Sequence, residues 1–200
     1  MKIVISVEGN IASGKTTLMK ALQERLPDAD FFLEPVDKWT EEGWLDALYS
    51  DPKRFGFSFQ IRVHQGFFEA KEEINRSSKQ ICVVERSSYS ANKVFAKHLL
   101  NEEIIDFNEY KTLCKISSFT RGLHPHVTLY IKTDVKQCLK RMEERGREEE
   151  QGITEEYLTA IDTLHDDAFL YDHNVYVIDG NQSAEDVLKK AMEIISKVIE

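Results

Sequence analysis

The sequence lacks long hydrophobic runs and is short of positive charge. No apolar stretch approaches the roughly 20 residues that span a bilayer, so we predict no membrane-spanning segment. Lys and Arg number 26 against 35 Asp and Glu, and the formal net charge is −9. Proteins that bind nucleic acid need a basic surface, so this balance argues against that class of partner. A local cationic site for phosphates is still compatible with it.

Cysteine is also scarce. The three cysteines, Cys82, Cys114 and Cys138, have no spacing typical of a metal or redox site. We therefore expect them to be reduced and mostly buried, as in a reducing compartment. The apolar run Ile3–Val7 begins so close to the first residue that no signal or transit peptide fits before it. This predicts a cytoplasmic protein.

The histidines do not form a metal-binding pattern. His124 and His126 flank a proline, and His165 precedes two aspartates. Isolated histidines of this kind are mostly surface or capping residues. We expect none of these three to bind a metal.

Strand-like and helix-like segments alternate along the 200 residues. Apolar runs rich in β-branched residues predict strands at Ile3–Val7, Asp30–Leu33, Ile81–Val84, Val127–Ile131 and Val175–Ile178. Helical patterns cover Lys15–Leu26, a long segment from Pro52 towards Ser77, Ser90–Leu100, Asp106–Gly122, Val135–Arg145, Thr154–Tyr171 and Ala184–Ile199. The alternation predicts one α/β domain with a parallel sheet buried on both faces, and ligands at the carboxyl ends of its strands.

The clearest motif follows the first predicted strand and opens the first predicted helix. It reads Gly9-Asn10-Ile11-Ala12-Ser13-Gly14-Lys15-Thr16 and matches the phosphate-binding loop G-x-x-x-x-G-K-[ST]. The glycines let the backbone wrap phosphates closely, and the helix N-terminus adds partial positive charge. We expect Lys15 to reach the β- and γ-phosphates of ATP and the Thr16 hydroxyl to ligate Mg²⁺, with Thr17 also at the nucleotide.

Two further strand ends carry acidic residues. Glu34-Pro35-Val36 follows the second strand, where the Glu34 carboxylate could face the transferred phosphate or be a solvated turn acid. Glu85-Arg86-Ser87 follows the third strand and fits a scaffolding salt bridge as well as it fits chemistry. The position of Glu85 resembles that of the acid that supports Mg²⁺ in phosphate-loop enzymes.

A cluster of arginines lies near the end of the helix predicted at Val135–Arg145. Arg141 and Arg145 share one helix face, and Arg147 follows Gly146, a predicted hinge. The segment also fits a charge-paired, solvated helix end. In a phosphoryl-transfer enzyme it would be a lid, spanning about 141–153, whose guanidinium groups cover the phosphates.

Taken together, these motifs resemble the deoxynucleoside kinase family, from the first strand into the last helix. The matching elements are Gly9–Thr17, Glu34-Pro35-Val36 with Trp39, Phe57-Ser58-Phe59-Gln60, Glu85-Arg86-Ser87 with Tyr89-Ser90, and the segment from Arg141 through Ile153. The resemblance implies phosphorylation of deoxynucleosides with ATP and Mg²⁺. It also implies a five-stranded parallel sheet, an arginine-rich lid and a homodimer built from helices.

The resemblance also implies roles for residues at the reacting groups. Glu34 resembles the base that takes the proton from the 5′-hydroxyl, and Arg86 the partner that holds both groups. Tyr49 and Glu150 resemble the pair that binds the sugar 3′-hydroxyl. Arg145 and Arg147, with Arg141 near the adenine of ATP, correspond to the lid arginines.

The same resemblance places Gln60 at the edge of the nucleobase, between the pocket walls Trp39 and Phe95, with Phe59 beside it. A primary amide offers one acceptor and two donors in one plane, so either orientation matches a pyrimidine. Gln60 alone therefore cannot choose between thymine and cytosine.

Two nearby positions bear on that choice. Members that act on cytidine and purine nucleosides have an arginine where Phe67 stands and an aspartate where Ala91 stands. The absence of both charges resembles the thymidine-directed and multisubstrate members, although these usually have methionine in place of Phe67. We therefore expect a preference for pyrimidine deoxynucleosides, thymidine included.

Two other readings compete. A nucleoside monophosphate kinase shares the phosphate loop and an arginine lid, but Glu34 beside an anionic acceptor would repel it. A phosphate-loop switch that only binds ATP would not need Glu34, Gln60, Tyr49 and Glu150 together.

Overall fold

The computed structural model describes residues 2–119 and 125–199. Within them it contains a five-stranded, all-parallel sheet with strand order β2-β3-β1-β4-β5. The strands are β1 (Ile3–Gly9), β2 (Ala29–Phe32), β3 (Ile81–Glu85), β4 (Val127–Lys132) and β5 (Val175–Asp179). The central strand β1 pairs Ile3 with Ile81 on one side and Ile5 with Val127 on the other. The predicted α/β fold with a five-stranded parallel sheet is confirmed.

Helices connect the strands and cover the sheet. They are α1 (Lys15–Arg25), α2 (Val36–Glu41), α3 (Trp44–Ser50), α4 (Pro52–Arg76), α5 (Ser88–Ser90), α6 (Lys97–Asn101), α7 (Phe107–Ser117), α8 (Val135–Arg145), α9 (Glu155–Phe169) and α10 (Ala184–Ile199). A π-helical segment, Ala91–Ala96, joins α5 to α6, and a 3₁₀ turn covers Glu148–Glu150. No helix in the described part of the chain is long and apolar enough to cross a membrane.

Local sequence explains where several helices begin and end. Asp51 accepts a hydrogen bond from the backbone N–H of Arg54 and precedes Pro52, a favourable first residue of α4. Asp106 starts α7 with a reciprocal capping box. Gly146 ends α8 at a φ of 66°, a left-handed conformation that glycine adopts without strain.

Alternating residues of the strands pack against two different helical layers. Ile5, Val7 and Leu129 face α1 and α10 in the largest core cluster. On the opposite face, Val4 packs with α4, and Tyr130 packs with α9 and the π-helical segment. Each strand of the central sheet therefore contributes side chains to two cores, which explains its continuous apolar sequence.

The structure differs from the predictions in four places. The helices α2 and α3 were not predicted, because segments this short show no periodicity. The predicted helix Ser90–Leu100 contains the π-helical segment. The predicted helix Asp106–Gly122 ends at Ser117, and its last three residues lie outside the described range. Burial on both faces is wrong for the edge strand β5, where the neighbours Tyr176 and Val177 are both exposed.

Candidate active site

A cavity of about 800 Å³ opens where the loops after β1, β2 and β3 meet. Its walls include every predicted site residue except Gly9 and Asn10, which precede the part of the phosphate loop that faces it. The predicted residues in its walls are Ile11, Ala12, Ser13, Gly14, Lys15, Thr16, Thr17, Glu34, Trp39, Tyr49, Phe59, Gln60, Phe67, Glu85, Arg86, Ala91, Phe95, Arg141, Arg145, Arg147 and Glu150.

The phosphate loop needs glycine at both of its glycine positions. A Cβ atom at Gly9 would lie 2.5 Å from the carbonyl oxygen of Ile131 and 2.7 Å from Oγ of Ser13, and its φ of 146° already disfavours other residues. Gly14 precedes α1 at a φ of 109°. Gly14, as the N-cap, has no side chain that could cap this end of α1. Its first N–H groups are therefore available to an anion in the cavity.

Lys15 is buried at the centre of this loop. Its Nζ donates a hydrogen bond to the carbonyl oxygen of Asn10 at 2.8 Å. The Asn10 amide in turn donates to the carbonyl oxygen of Leu158 at 2.9 Å, which ties the loop to α9. Burial, together with the nearby Arg86, lowers the pKa of Lys15 to about 8. A bound polyphosphate would place negative charge beside Lys15 and so favour the charged form of its ammonium group.

Thr16 and Glu85 offer oxygen atoms side by side. The hydroxyl of Thr16 donates to Oε1 of Glu85 at 2.7 Å, at the edge of the cavity. Mg²⁺ prefers oxygen ligands and usually takes only one or two from the protein, so these residues fit that ion. No cluster of three His, Cys, Asp or Glu side chains in residues 2–119 and 125–199 could hold a metal by itself. Phosphate oxygens would have to complete the coordination.

Glu34 and Arg86 form an ion pair inside the cavity. The Nε of Arg86 donates to Oε2 of Glu34 at 3.1 Å, and the two side chains are 5% and 16% exposed, respectively. One terminal nitrogen of Arg86 donates to the carbonyl oxygen of Gly9 at 2.9 Å. The guanidinium also lies over the ring of Phe95, 4.7 Å from its centroid. Glu34 is therefore not a solvated turn acid.

Aromatic side chains surround an amide at the other end of the cavity. Trp39 and Phe59 meet edge to face with ring centroids 5.4 Å apart, and Phe67 and Ala91 belong to the same cluster. Gln60 is 4% exposed and lines this part of the cavity. Its amide oxygen is buried and has no hydrogen-bond partner among the described residues. This end can therefore hold a flat ring with polar edges.

The predicted lid carries a buried carboxylate between two arginines. Glu150 is 7% exposed and accepts hydrogen bonds from Arg145 and Arg147. Arg147 also lies 3.2 Å from Asp37 of α2, so it bridges the segment to the opposite side of the cavity. Burial, together with charges that include Glu150, keeps the pKa of Tyr49 well above its usual value. Tyr49 is therefore a neutral hydroxyl that can donate a hydrogen bond.

Arg141 lies against the phosphate loop. Its two terminal nitrogens donate to the carbonyl oxygens of Ser13 and Gly180, at 3.0 and 2.9 Å. These bonds hold the guanidinium beside Gly14, at the start of α1. The predicted contact with adenine stays a prediction.

The sequence of the whole chain identifies the family to which this site belongs. The family model described as deoxynucleoside kinase matches residues 5–200. The chain belongs to the deoxynucleoside kinase family. This kinase is therefore an enzyme, a transferase that phosphorylates an alcohol acceptor, as the motifs predicted.

Several curated relatives support the assignment. Deoxycytidine kinase 1 of Xenopus laevis is 28% identical over 235 residues, which cover 98% of this kinase and 89% of the relative. Deoxycytidine kinase 2 of Gallus gallus is 28% identical over 201 residues, covering 86% and 76%. The mitochondrial thymidine kinase 2 of Homo sapiens is 34% identical over 172 residues, covering 83% of the kinase and 64% of the human protein.

Two buried residues next to the cavity, Glu8 and His165, are not identified by the sequence motifs. Glu8 is fully buried on β1, and its Oε1 accepts a hydrogen bond from the hydroxyl of Ser87 at 2.6 Å. Burial raises the pKa of Glu8 to about 7. His165 is fully buried and lies 3.3 Å from a terminal nitrogen of Arg86. The sequence shows only an acidic residue directly after the apolar run of β1, and the contact of Glu8 with Ser87 depends on the pairing of β1 with β3.

The expectation of a surface or capping role is wrong for His165. Isolated histidines are mostly surface or capping residues, but α9 turns this side chain into the core, where it stacks on Tyr130. His126 is exposed and accepts a hydrogen bond from the backbone of Val4, as expected of a capping residue. His124 lies outside the described residues.

The cysteines agree with the expectation of reduced, mostly buried thiols. Cys82, Cys114 and Cys138 are free, and only Cys114 among them is exposed.

Proposed function

We propose that this kinase uses ATP to phosphorylate the 5′-hydroxyl of pyrimidine deoxynucleosides, thymidine included, and so supplies deoxynucleoside monophosphates for nucleotide salvage. The observation that carries the proposal is Gln60. Its buried amide oxygen has no hydrogen-bond partner in residues 2–119 and 125–199, and it lies in an aromatic end of the same cavity that the phosphate loop lines.

The base end favours a pyrimidine. The acceptor of Gln60 matches N3–H of thymine, and its NH₂ group matches O4; with the amide turned over, it matches cytosine. Ala91 is small and buried in the aromatic cluster, so it leaves space for the thymine methyl group. Phe67 lines the cavity, and we expect its ring to leave less room for a purine than for a pyrimidine.

The phosphate loop suits the triphosphate of ATP. Lys15 and the free N–H groups at the start of α1 would bind the phosphates, and Arg145 and Arg147 would cover them as part of a lid over about 141–153. Thr16 and Glu85 would hold Mg²⁺, which supplies charge neutralisation at the phosphate oxygens when bound.

Glu34 and Arg86 suit the acceptor. In this proposal Glu34 accepts the proton of the 5′-hydroxyl, and Arg86 fixes the carboxylate and the hydroxyl relative to each other. Tyr49 and Glu150, both in the cavity walls, would bind the 3′-hydroxyl of the sugar. The roles of Glu34 and Arg86 are supported by the ion pair between them and by the hydrogen bond of Arg86 to Gly9 of the phosphate loop.

We also propose that the kinase is a homodimer that associates through helices. The exposed rings of Phe68 on α4 and Phe107 on α7 support this assignment, because α4 and α7 pack on each other and expose large apolar groups. Sedimentation equilibrium measures the mass; a monomer at micromolar concentrations contradicts the dimer.

The test is a comparison of kcat/KM for thymidine, deoxycytidine, deoxyadenosine and deoxyguanosine, with thymidine monophosphate as a fifth acceptor. We expect kcat/KM for thymidine and deoxycytidine to exceed kcat/KM for the two purine nucleosides and for thymidine monophosphate. A preference for thymidine monophosphate would identify a nucleoside monophosphate kinase. Preference for a purine would show that Gln60, Phe67 and Ala91 do not select pyrimidines.

A further inference from the structure

The end of β1 receives three hydrogen bonds from the turn after β3. The backbone N–H of Arg86 donates to the carbonyl oxygen of Val7 at 3.0 Å. The hydroxyl of Ser87 donates to Oε1 of Glu8 at 2.6 Å, and the Arg86 guanidinium donates to the carbonyl oxygen of Gly9 at 2.9 Å. Three successive residues of one strand therefore hold two successive residues of the neighbouring loop.

The backbone of Arg86 is strained. Its φ of 66° lies in the left-handed region, which is unfavourable for a residue with a side chain. Such a conformation persists only where its surroundings over-determine it, and such residues cluster at functional sites. The bonds from Arg86 and Ser87 to β1 are among the contacts that hold it, together with the side-chain contacts of Arg86 to Glu34, Phe95 and His165.

Only one of these three contacts depends on a side chain of β1. The Val7 and Gly9 acceptors are backbone carbonyls, whereas the Ser87 hydroxyl is held by the Glu8 carboxyl group. Glu8 is fully buried, and its second oxygen, Oε2, has no hydrogen-bond partner among the described residues. Burying a polar group in this way is unfavourable, so its presence needs an explanation other than stability.

We infer that Glu8 is a positioning residue for phosphoryl transfer. By holding Ser87, it keeps the turn in its left-handed conformation and so aims the Arg86 guanidinium at Glu34. The inference rests on the proposed roles of Glu34 and Arg86. Ser87 is also the N-cap of α5, where its hydroxyl accepts a hydrogen bond from the backbone N–H of Ser90. Its bond to Glu8 therefore fixes both the turn at Arg86 and the start of α5.

The experiment compares three variants with the wild-type kinase. Glu8→Ala removes the acceptor for Ser87, whereas Glu8→Gln keeps an oxygen that can accept from Ser87, removes the charge and replaces the second oxygen with an NH₂ group. The matched control is Ser6→Ala, because Ser6 lies on the same face of β1 and makes a buried 3.0 Å hydrogen bond to Thr128 of β4, away from the turn. Unfolding temperature, kcat and both KM values are measured for each.

We expect Glu8→Ala to lower kcat about 100-fold with little change in KM for either substrate, since small misplacements of catalytic groups have effects of this order. Glu8→Gln should restore kcat to within a few-fold of wild type. Ser6→Ala should lower the unfolding temperature and leave kcat unchanged. A folded Glu8→Ala variant with wild-type kcat would overturn the inference.

A second comparison tests whether Glu8 acts through Arg86. In an Arg86→Ala background, Glu8→Ala should reduce kcat by less than threefold, because substitutions at residues that act as a unit do not have additive effects. An equal loss in both backgrounds contradicts the inference. If Glu8→Ala does not fold, Ser87→Ala removes the donor of the same hydrogen bond. A Ser87→Ala variant with unchanged kcat would also overturn the inference. A wild-type enzyme inactive on every nucleoside would instead refute the proposed function.

Discussion

The Nε atom of Arg86 lies 3.1 Å from Oε2 of Glu34, and the same guanidinium contacts the phosphate loop at Gly9 and the ring of Phe95. A carboxylate held in this way has a fixed orientation relative to the phosphate loop. The pair therefore joins the two halves of the cavity where a phosphoryl group would move from one to the other.

Replacing Glu34 by glutamine tests its role as the base. A positioned general base contributes about 10²–10⁴-fold, so Glu34→Gln should lower kcat by that order and change nucleoside KM little. Glu42→Gln is the control, because Glu42 pairs with Arg62 outside the cavity walls. Steady-state kinetics with thymidine measure both; a Glu34→Gln enzyme that retains most of its kcat excludes Glu34 as the base.

The segment Arg145–Gly152 should close on bound phosphates. Arg147→Ala should reduce kcat strongly and leave the fold intact, because its guanidinium would stabilise charge in the transition state. Asp37→Asn breaks only the exposed ion pair to Arg147 and should have a small effect. Amide exchange in this segment should slow when an analogue joining ATP to a nucleoside binds. Unchanged exchange there contradicts the lid.

Substitutions at the base end should change specificity. Ala91→Asp alone should damage thymidine use and gain little with deoxycytidine, because it buries an unpaired charge beside the thymine methyl site. Adding Phe67→Arg should restore a charge pair and shift preference towards deoxycytidine or deoxyadenosine. A wrong hydrogen-bond match at a buried polar site can lower kcat/KM about 10⁴-fold, whereas one methyl group more or less changes it about 10–200-fold. The ratio of kcat/KM values should therefore move further in the double variant than in either single variant.

The buried Glu8 should make stability depend on pH. Its pKa is raised from 4.5 to about 7, mainly by burial and against the nearby charges of Arg86 and Lys15. The folded state thus binds a proton that the unfolded state has released. Relative to Glu8→Gln, the free energy of unfolding should fall by about 1 kcal/mol per pH unit between pH 5 and 7 and then level off. Urea titrations at pH 5 to 8 measure the difference; a pH-independent difference rules out a raised pKa.

Most of the fold could be predicted because its three central strands, β1, β3 and β4, are buried on both faces. Ile81–Val84 reads as strand from its apolar residues alone, and Val135–Arg145 was predicted with the bounds that the structure has. The π-helical segment was not predictable, because the sequence of Ala91–Ala96 fits an ordinary α-helix. Its extra residue per turn places Ala91 in the base end and Phe95 under Arg86, as such segments often do at functional sites.

The site could be assembled from motifs wherever each motif lies at the end of a strand. Glu34 and Arg86 were both identified, but the bond between them depends on β2 and β3 lying side by side, which no local pattern shows. Glu8 and His165 were missed for the same reason. Their roles depend on partners about eighty positions away in the chain.

The position of β1 in the middle of the sheet has a consequence for biosynthesis. Its register partners begin at Ile81 on one side and Val127 on the other, so both appear long after β1 itself. At a synthesis rate of about 5–20 residues per second, the strand waits roughly 6–25 seconds for its second neighbour. Until the first neighbour, which begins at Ile81, has been made, the apolar residues of β1 have no partner strand, and until Val127 one edge of β1 stays unpaired. Chaperones that shield nascent chains should therefore engage this segment first.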